Sequence, residues 1–347
     1  MADSFERIAR RRSALRLLGA ALLALPMPAL PAAGRMQTAL YVDDGLGRYG
    51  FPDGHPLGID RQGAFLREAA AQMLLERVRL LGGREATREE IERFHAPGYV
   101  SRVASAERDG LSLLDAGDTP VFPGMYEISA YVVGAALDAV TRVVSGECRR
   151  TLQPIGGLHH AGRGHAAGFC VFNDPGVVIE TLRRKHGIRR VAYVDIDVHH
   201  GDGVFYAFED DPDLIFADIH EDGRYLYPGT GSAQETGKGK AAGTKLNIPL
   251  EPGSGDRAFL DAWQKVEAHL ERFAPEFIVF QCGADGLNGD PLAHLEYTPA
   301  AHAHAAKRLC MLADRHARGR IMAFGGGGYN RLNIGRAWSA VLSAFVA

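Results

Sequence analysis

Apolar and polar positions along the chain fall into two periodicities. Short, largely apolar runs at Thr38–Val42, Val191–Ile196, Asp213–Ile219, Lys245–Leu250, Glu276–Gln281 and Arg320–Phe324 read as strands. Between them lie longer segments with a helical repeat, at 62–81, 87–94, 127–144, 175–186, 257–273, 299–316 and 333–345. Thr87 with Glu90 three residues on forms a capping box. Pro175 suits the first turn of the helix it opens. Residues 45–60 and 108–125 are rich in Gly, Pro and Asp and read as long loops. Strands alternate with helices, which predicts an α/β fold around a mainly parallel sheet covered on both faces. In such sheets ligands bind beyond the carboxyl ends of the strands. Asp197, His199, Asp285 and Tyr329 all follow directly on predicted strands.

Residues 1–35 depart from this pattern. Arg10-Arg11-Arg12, the apolar run Leu17–Leu25 and a Pro/Ala-rich end have the layout of an export signal. The arginines followed by Leu15 resemble a twin-arginine signal, which implies a periplasmic protein. The competing expectation takes Met36, just ahead of the first strand, as the true start and the protein as cytoplasmic. The apolar run is too short to span a bilayer, so no transmembrane anchor is expected. Residues 36–347 carry the strand and helix pattern.

Composition narrows the function classes. The 347 residues are 46% hydrophobic and 23% charged, ordinary for a globular chain. A net charge of -3 gives no basic surplus for direct nucleic-acid binding. Cys148, Cys170, Cys282 and Cys310 have no C-x-x-C spacing. Free, mostly buried thiols are expected, and no disulfide scaffold.

The chemistry gathers after the strand 191–196. Asp195, Asp197, His199, His200 and Asp202 arrive within eight positions. Residues i and i+2 of an extended backbone share a face, so Asp197 and His199 can grip one divalent cation. Carboxylate oxygen with imidazole nitrogen is a zinc-compatible donor set. Asp285, leaving its strand through Gly283-Ala284, is the candidate third ligand. Three protein ligands leave the open position of a catalytic site. His159-His160 offers either two more ligands or an acid/base pair, with Asp195 and Asp202 as partners that set tautomer and basicity. The glycines 325–328 have no Lys-Ser/Thr after them and so form no P-loop. They free the backbone to bring Tyr329 to the metal, where its hydroxyl could stabilise an oxyanion.

With these residues assembled, the chain resembles the histone deacetylase family, which includes bacterial acetoin-utilisation proteins and acetylpolyamine amidohydrolases. The resemblance spans about 38–346. It rests on Gly-Gly-Leu-His-His-Ala (156–161), Gly-Phe-Cys-Val-Phe-Asn-Asp (168–174), Asp-Ile-Asp-Val-His-His-Gly-Asp-Gly (195–203), Tyr-Pro-Gly-Thr-Gly (227–231), Gly-Ala-Asp-Gly-Leu-Asn-Gly-Asp-Pro (283–291) and Gly-Gly-Gly-Gly-Tyr-Asn (325–330). Order and spacing are most similar to the class I and acetoin-utilisation branch.

The resemblance implies a deacetylase domain over 36–347 with the arginase/deacetylase fold, a central eight-stranded sheet flanked by helices. It implies one zinc held by Asp197, His199 and Asp285. His160, oriented by Asp202, would be the general base, and His159, paired with Asp195, its electrostatic partner. Tyr329 would donate to the tetrahedral oxyanion. Phe169 and Tyr227 match the aromatic walls of the acyl-chain tunnel, with Gly168 beside them, and Asp118 matches the rim carboxylate that holds the substrate. A potassium ion is implied near the Asp195–His199 loop, where Asp218 stands in place of the Ser of many relatives and adds a carboxylate.

The implied reaction is hydrolysis of an acetyl or other acyl amide, on acyl-lysine in a peptide or protein or on a small acylamine. An acetylpolyamine amidohydrolase is the alternative substrate reading. Leu292 bears on that choice, because some polyamine-directed relatives carry a glutamate at this position. A manganese ureohydrolase would need further carboxylates for a second metal. A non-catalytic acyl-lysine-binding regulator would be expected to have lost ligands or the tyrosine, and neither is lost.

Overall fold

Eight short strands carry the architecture. They are β1 (Thr38–Tyr41), β2 (Arg79–Leu81), β3 (Arg150–Gln153), β4 (Val191–Asp195), β5 (Leu214–Glu221), β6 (Lys245–Leu250), β7 (Phe277–Gln281) and β8 (Ile321–Phe324). They pair in one sheet in the order β2-β1-β3-β8-β7-β4-β5-β6, every neighbour parallel. This computed structural model describes residues 37–52 and 54–347. The expectations for residues 1–35 lie outside the described residues. No helix among the described residues is long and apolar enough to cross a membrane.

The strands are apolar on both sides because helices cover both faces. Along β7, Phe277 and Val279 join one core cluster while Ile278 and Phe280 join the other. Helices α1 (Arg61–Ala71), α2 (Arg88–Ile91), α3 (Pro97–Ser105), α4 (Met125–Val144) and α5 (Asp174–His186) come first along the chain. Then follow α6 (Asp202–Ala207), α7 (Asp256–Phe273), α8 (Pro299–His316) and α9 (Arg331–Val346). α4 and α5 cover the first face with Val132, Val133, Val177 and Val178. α1, α7, α8 and α9 cover the second with Phe65, Trp263, Leu309 and Trp338. All four cysteines are free and buried.

Most predicted elements form with end shifts of one or two residues. The Thr87 capping box is present, but its helix is short, Arg88–Ile91. One expectation is overturned. The helix expected over 62–81 stops at Ala71, because Met73 takes a left-handed backbone with φ 55°. A 3-10 turn follows, and Arg79–Leu81 then becomes an edge strand paired to β1. Strand β3 and helices α3 and α6 also form where the pattern gave no firm signal.

Candidate active site

Strand register brings the polar residues together. Asp195, the last residue of β4, lies opposite Asp218 of β5 and Gln281 of β7, and Gln281 lies opposite Phe324 of β8. The chain segments leaving β4, β7 and β8 therefore emerge side by side, and the segment leaving β3 joins them through the Gln153–Phe324 register.

Asp197, His199 and Asp285 converge, each buried, with one ligand atom apiece inside 4.8 Å of the others. His199 Nδ1 lies 3.2 Å from Asp197 Oδ1 and 3.3 Å from Asp285 Oδ2. Asp285 Oδ1 accepts from the Val198 amide, while Oδ2 is buried with no hydrogen-bond partner. Two buried carboxylates facing one imidazole need a positive charge. Burial and Asp197 push Asp285 up to about 7. Burial alone would lower His199, yet Asp197 and Asp285 hold it up at about 10. The group can hold a metal ion, and the orphaned Asp285 oxygen fits that use. Glycines make room for it: a Cβ on Gly283 would collide with the Asp197 carboxylate, and one on Gly327 with that of Asp285.

The histidine pair stands beside this group. His159 Nδ1 meets Asp195 Oδ2 at 2.8 Å, and His160 Nδ1 meets Asp202 Oδ1 at 2.7 Å. The two Nε2 atoms are 3.1 Å apart. With both Nδ1 atoms donating to carboxylates, the Nε2 atoms can hydrogen-bond only when one carries a proton. Asp195 also accepts from the Tyr193 hydroxyl and the Asp197 amide. Burial, with the neighbouring His159, lowers His160 below its usual range, which favours its neutral form.

Aromatic rings surround His160. Tyr227 stands edge-on to it at 5.1 Å. On the other side Gly168 and Phe169 both take left-handed backbone, with φ of 53° and 65°. A Cβ on Gly168 would strike the His160 ring. For Phe169 that conformation is strained, and the Tyr49 hydroxyl bonded to its carbonyl at 2.8 Å helps to hold it. Phe169 lies edge-on to Tyr329 at 5.9 Å and to His55 at 4.6 Å.

Asp118 and Leu292, the residues expected at the rim, each sit in a loop braced by a neighbouring carboxylate. Asp115 Oδ1 accepts the amides of Gly117, Asp118 and Thr119, each at 3.0 Å. Thr119 Oγ1 donates to Asp115 Oδ2 at 2.5 Å and stands 3.3 Å from Asp118 Oδ1. Burial and the neighbouring Asp115 push Asp118 up to about 6. The Leu292 amide bonds Asp290 Oδ1, while Asp290 Oδ2 accepts the amides of Tyr329 and Asn330. Asp218, expected to add charge beside the potassium site, is already engaged. Its oxygens accept from Gly201 N at 2.9 Å and meet His220 Nδ1 at 2.7 Å. Burial alone would lower His220, but the facing Asp218 carboxylate raises it.

Four supporting residues had no functional reading in the sequence. Arg61, 2% exposed, donates to the carbonyls of Gly328 at 3.0 Å and Gly326 at 2.5 Å, so it pins the glycine run that delivers Tyr329. Asp174 accepts the amides of Gly157 and Leu158 and fixes the turn into the histidine pair. Gln281 donates to Asp197 Oδ2 at 2.8 Å. Asp290 ties the Leu292 loop to Tyr329. Gln281 left a trace, as a polar residue closing an apolar strand; Arg61 left none.

Known proteins resemble this chain along most of its length. The histone deacetylase domain matches residues 55–345. The acetoin utilization protein AcuC of Bacillus subtilis (strain 168) is 40% identical over 267 residues, covering 74% of this chain and 69% of that one. AcuC of Staphylococcus aureus (strain MRSA252) is 33% identical over 319 residues, covering 89% and 82%. The crystal structure of the HDA15 HD domain superposes with a TM-score of 0.82 at 27% identity, over 89% of each chain. The eight-stranded parallel sheet with its flanking helices is the arginase/deacetylase fold.

Proposed function

The chain belongs to the histone deacetylase family, acetoin-utilisation branch, and we propose that it is a zinc-dependent deacylase acting on acyl-lysine. Membership of the family supports deacetylase activity. The observation that carries the zinc reading is the buried, unpartnered Asp285 Oδ2 facing His199 and Asp197 beside two His–Asp pairs.

Asp197, His199 and Asp285 would hold one zinc ion, which when bound polarises an amide carbonyl and lowers the pKa of water. His160 Nε2 takes the proton of the attacking water, and Asp202 keeps Nδ1 protonated so that Nε2 remains the basic atom. His159, held by Asp195, places a second imidazole beside the developing charge. The Tyr329 hydroxyl donates to the oxyanion. The protonated His160 returns its proton to the leaving amine nitrogen, and the acid and the amine depart. Phe169 and Tyr227 grip the methylenes of a lysine side chain, each methylene worth roughly 0.8 kcal/mol when buried. A potassium ion would bind near the Asp195–His199 loop, where the main-chain oxygens of Asp197 and His199 accept no backbone hydrogen bond from a described residue and would be free to face it.

Turnover of the zinc-loaded protein on acetyl-lysine peptides, longer acyl-lysines and acetylpolyamines tests the reading. Acyl-lysine peptides should give the highest kcat/KM, and chelation should abolish turnover. Unchanged turnover after complete metal removal, or a strong preference for acetylpolyamines, would overturn it.

The rim should make substrate grip pH-dependent. Asp118 grips through its ionised form, and Asp115, Thr119 and His160 are the polar groups that shift it. With a pKa near 6, its ionised fraction falls roughly tenfold from pH 7 to pH 5. KM for a lysine peptide should rise by a similar factor as the pH falls through 6, and Asp118→Asn should lose that limb. An identical KM profile in both proteins removes Asp118 from the grip.

Leu292 offers a secondary ammonium no charge to pair with. Leu292→Glu should move the kcat/KM ratio toward acetylpolyamines by ~1–2 kcal/mol, the scale of a charge-assisted hydrogen bond. A ratio unchanged within about twofold, on the same scale, would show that the side chain does not reach the bound chain.

A further inference from the structure

A lysine is almost never fully buried without a carboxylate partner, and Lys245 is. It opens β6 at the amino-terminal end of the sheet, opposite the end that carries the site, and is 2% exposed. Its ammonium donates three hydrogen bonds: to the Asp211 carbonyl at 2.8 Å, the Leu214 carbonyl at 2.7 Å and Thr244 Oγ1 at 2.8 Å. Thr244 Oγ1 passes its own proton to the Ala241 carbonyl at 2.8 Å, which leaves a lone pair for the ammonium. Among the described residues Lys245 has no ion pair. The nearby Asp211 carboxylate is turned to Arg183 instead. His269 stands on the other side with Nε2 3.2 Å from the Thr244 carbonyl, and burial keeps it neutral by lowering it to about 4.

The three acceptors come from two segments: the 211–214 turn that leads into β5, and Thr244 just before β6. One positive centre draws them together. Two carbonyls and a hydroxyl around a buried unit charge are the uncharged, hard oxygen set that suits a monovalent cation. Ammonium and potassium are close in size and equal in charge. We infer that Lys245 is a built-in cation, its ammonium filling an oxygen cage that would otherwise take a potassium-sized monovalent ion. Burial pulls Lys245 down to about 8, so the group still carries its charge at neutral pH. The cage ties down the start of β5, the strand that carries Asp218 and His220. Its effect is on stability, and it stands apart from the zinc reading.

Two variants test this on the full chain. Lys245→Ala empties the cage, and Lys245→Met keeps most of the stem but removes the charge. Thermal midpoints are read in potassium, sodium and choline chloride at matched ionic strength, for wild type and variants together. Any other potassium site acts equally on all of them. Lys245→Met should be clearly less stable than wild type in every salt. Lys245→Ala should gain about 3 °C or more of potassium-specific stabilisation beyond that of wild type. Crystals of the alanine variant soaked in rubidium should show an anomalous peak between Asp211, Leu214 and Thr244, absent from wild type. A methionine variant as stable as wild type overturns the inference. So does a folded alanine variant with neither the extra potassium response nor the rubidium peak. If the alanine variant folds in no salt, the methionine result decides alone.

Discussion

Asp285→Ala should lose nearly all bound zinc and nearly all turnover while remaining folded. Asp285 is one of three groups that converge on the site, and its Oδ2 has no other partner. Removing even a supporting residue of a metal site costs 10–100-fold in affinity or activity, so losing a direct ligand should cost ~10³ or more. The fold has little reason to suffer. Burial already pushes this carboxyl up to about 7, and its loss relieves the repulsion from Asp197. Against that stands one lost acceptor for the Val198 amide, of order 1 kcal/mol. Two measurements check the pair of claims. Metal analysis should find the variant nearly empty, and chelation should lower the thermal midpoint of wild type but not of the variant. Full zinc occupancy with normal turnover would end the assignment.

Tyr329→Phe should depress kcat by ~10²–10³, the usual loss for one oxyanion donor, with KM and metal content close to wild type. The ring is held by contacts a phenylalanine keeps: the edge-on Phe169 at 5.9 Å and the backbone amide bonded to Asp290 at 2.8 Å. The change is thus confined to the hydroxyl, which makes the kcat loss readable as chemistry rather than as displacement. A kcat within about threefold of wild type would remove Tyr329 from the mechanism.

The local parts of this protein could be read without its structure. Asp197 and His199 stand two apart just past an apolar strand, and that spacing alone puts them on one face. The periodicities of α5, α7 and α8 mark their burial stripes, because a helix of that length must hide one side. Glycines at 283 and 325–328 marked where the backbone frees Asp285 and Tyr329 to approach a metal, though not which carboxylates a side chain there would strike.

Other features depended on which strand lies beside which. Asp285 stands near Asp197 because β7 pairs with β4 in register, and sequence separation holds no record of that pairing. β3 carries one large apolar residue, Leu152, and becomes a buried strand because β1 and β8 close on both its edges. The 62–81 helix ends early because pairing to the edge of β1 rewards an extended Arg79–Leu81. Arg61 and Lys245 are the sharpest cases. Neither had a role assigned to it in its own segment. Each is buried because distant carbonyls, from the glycine run in one case and from the β5 turn in the other, converge to accept its protons. A residue's period and type determine which way it faces, but the partner that makes burial of a charge tolerable is supplied by segments far away in the chain.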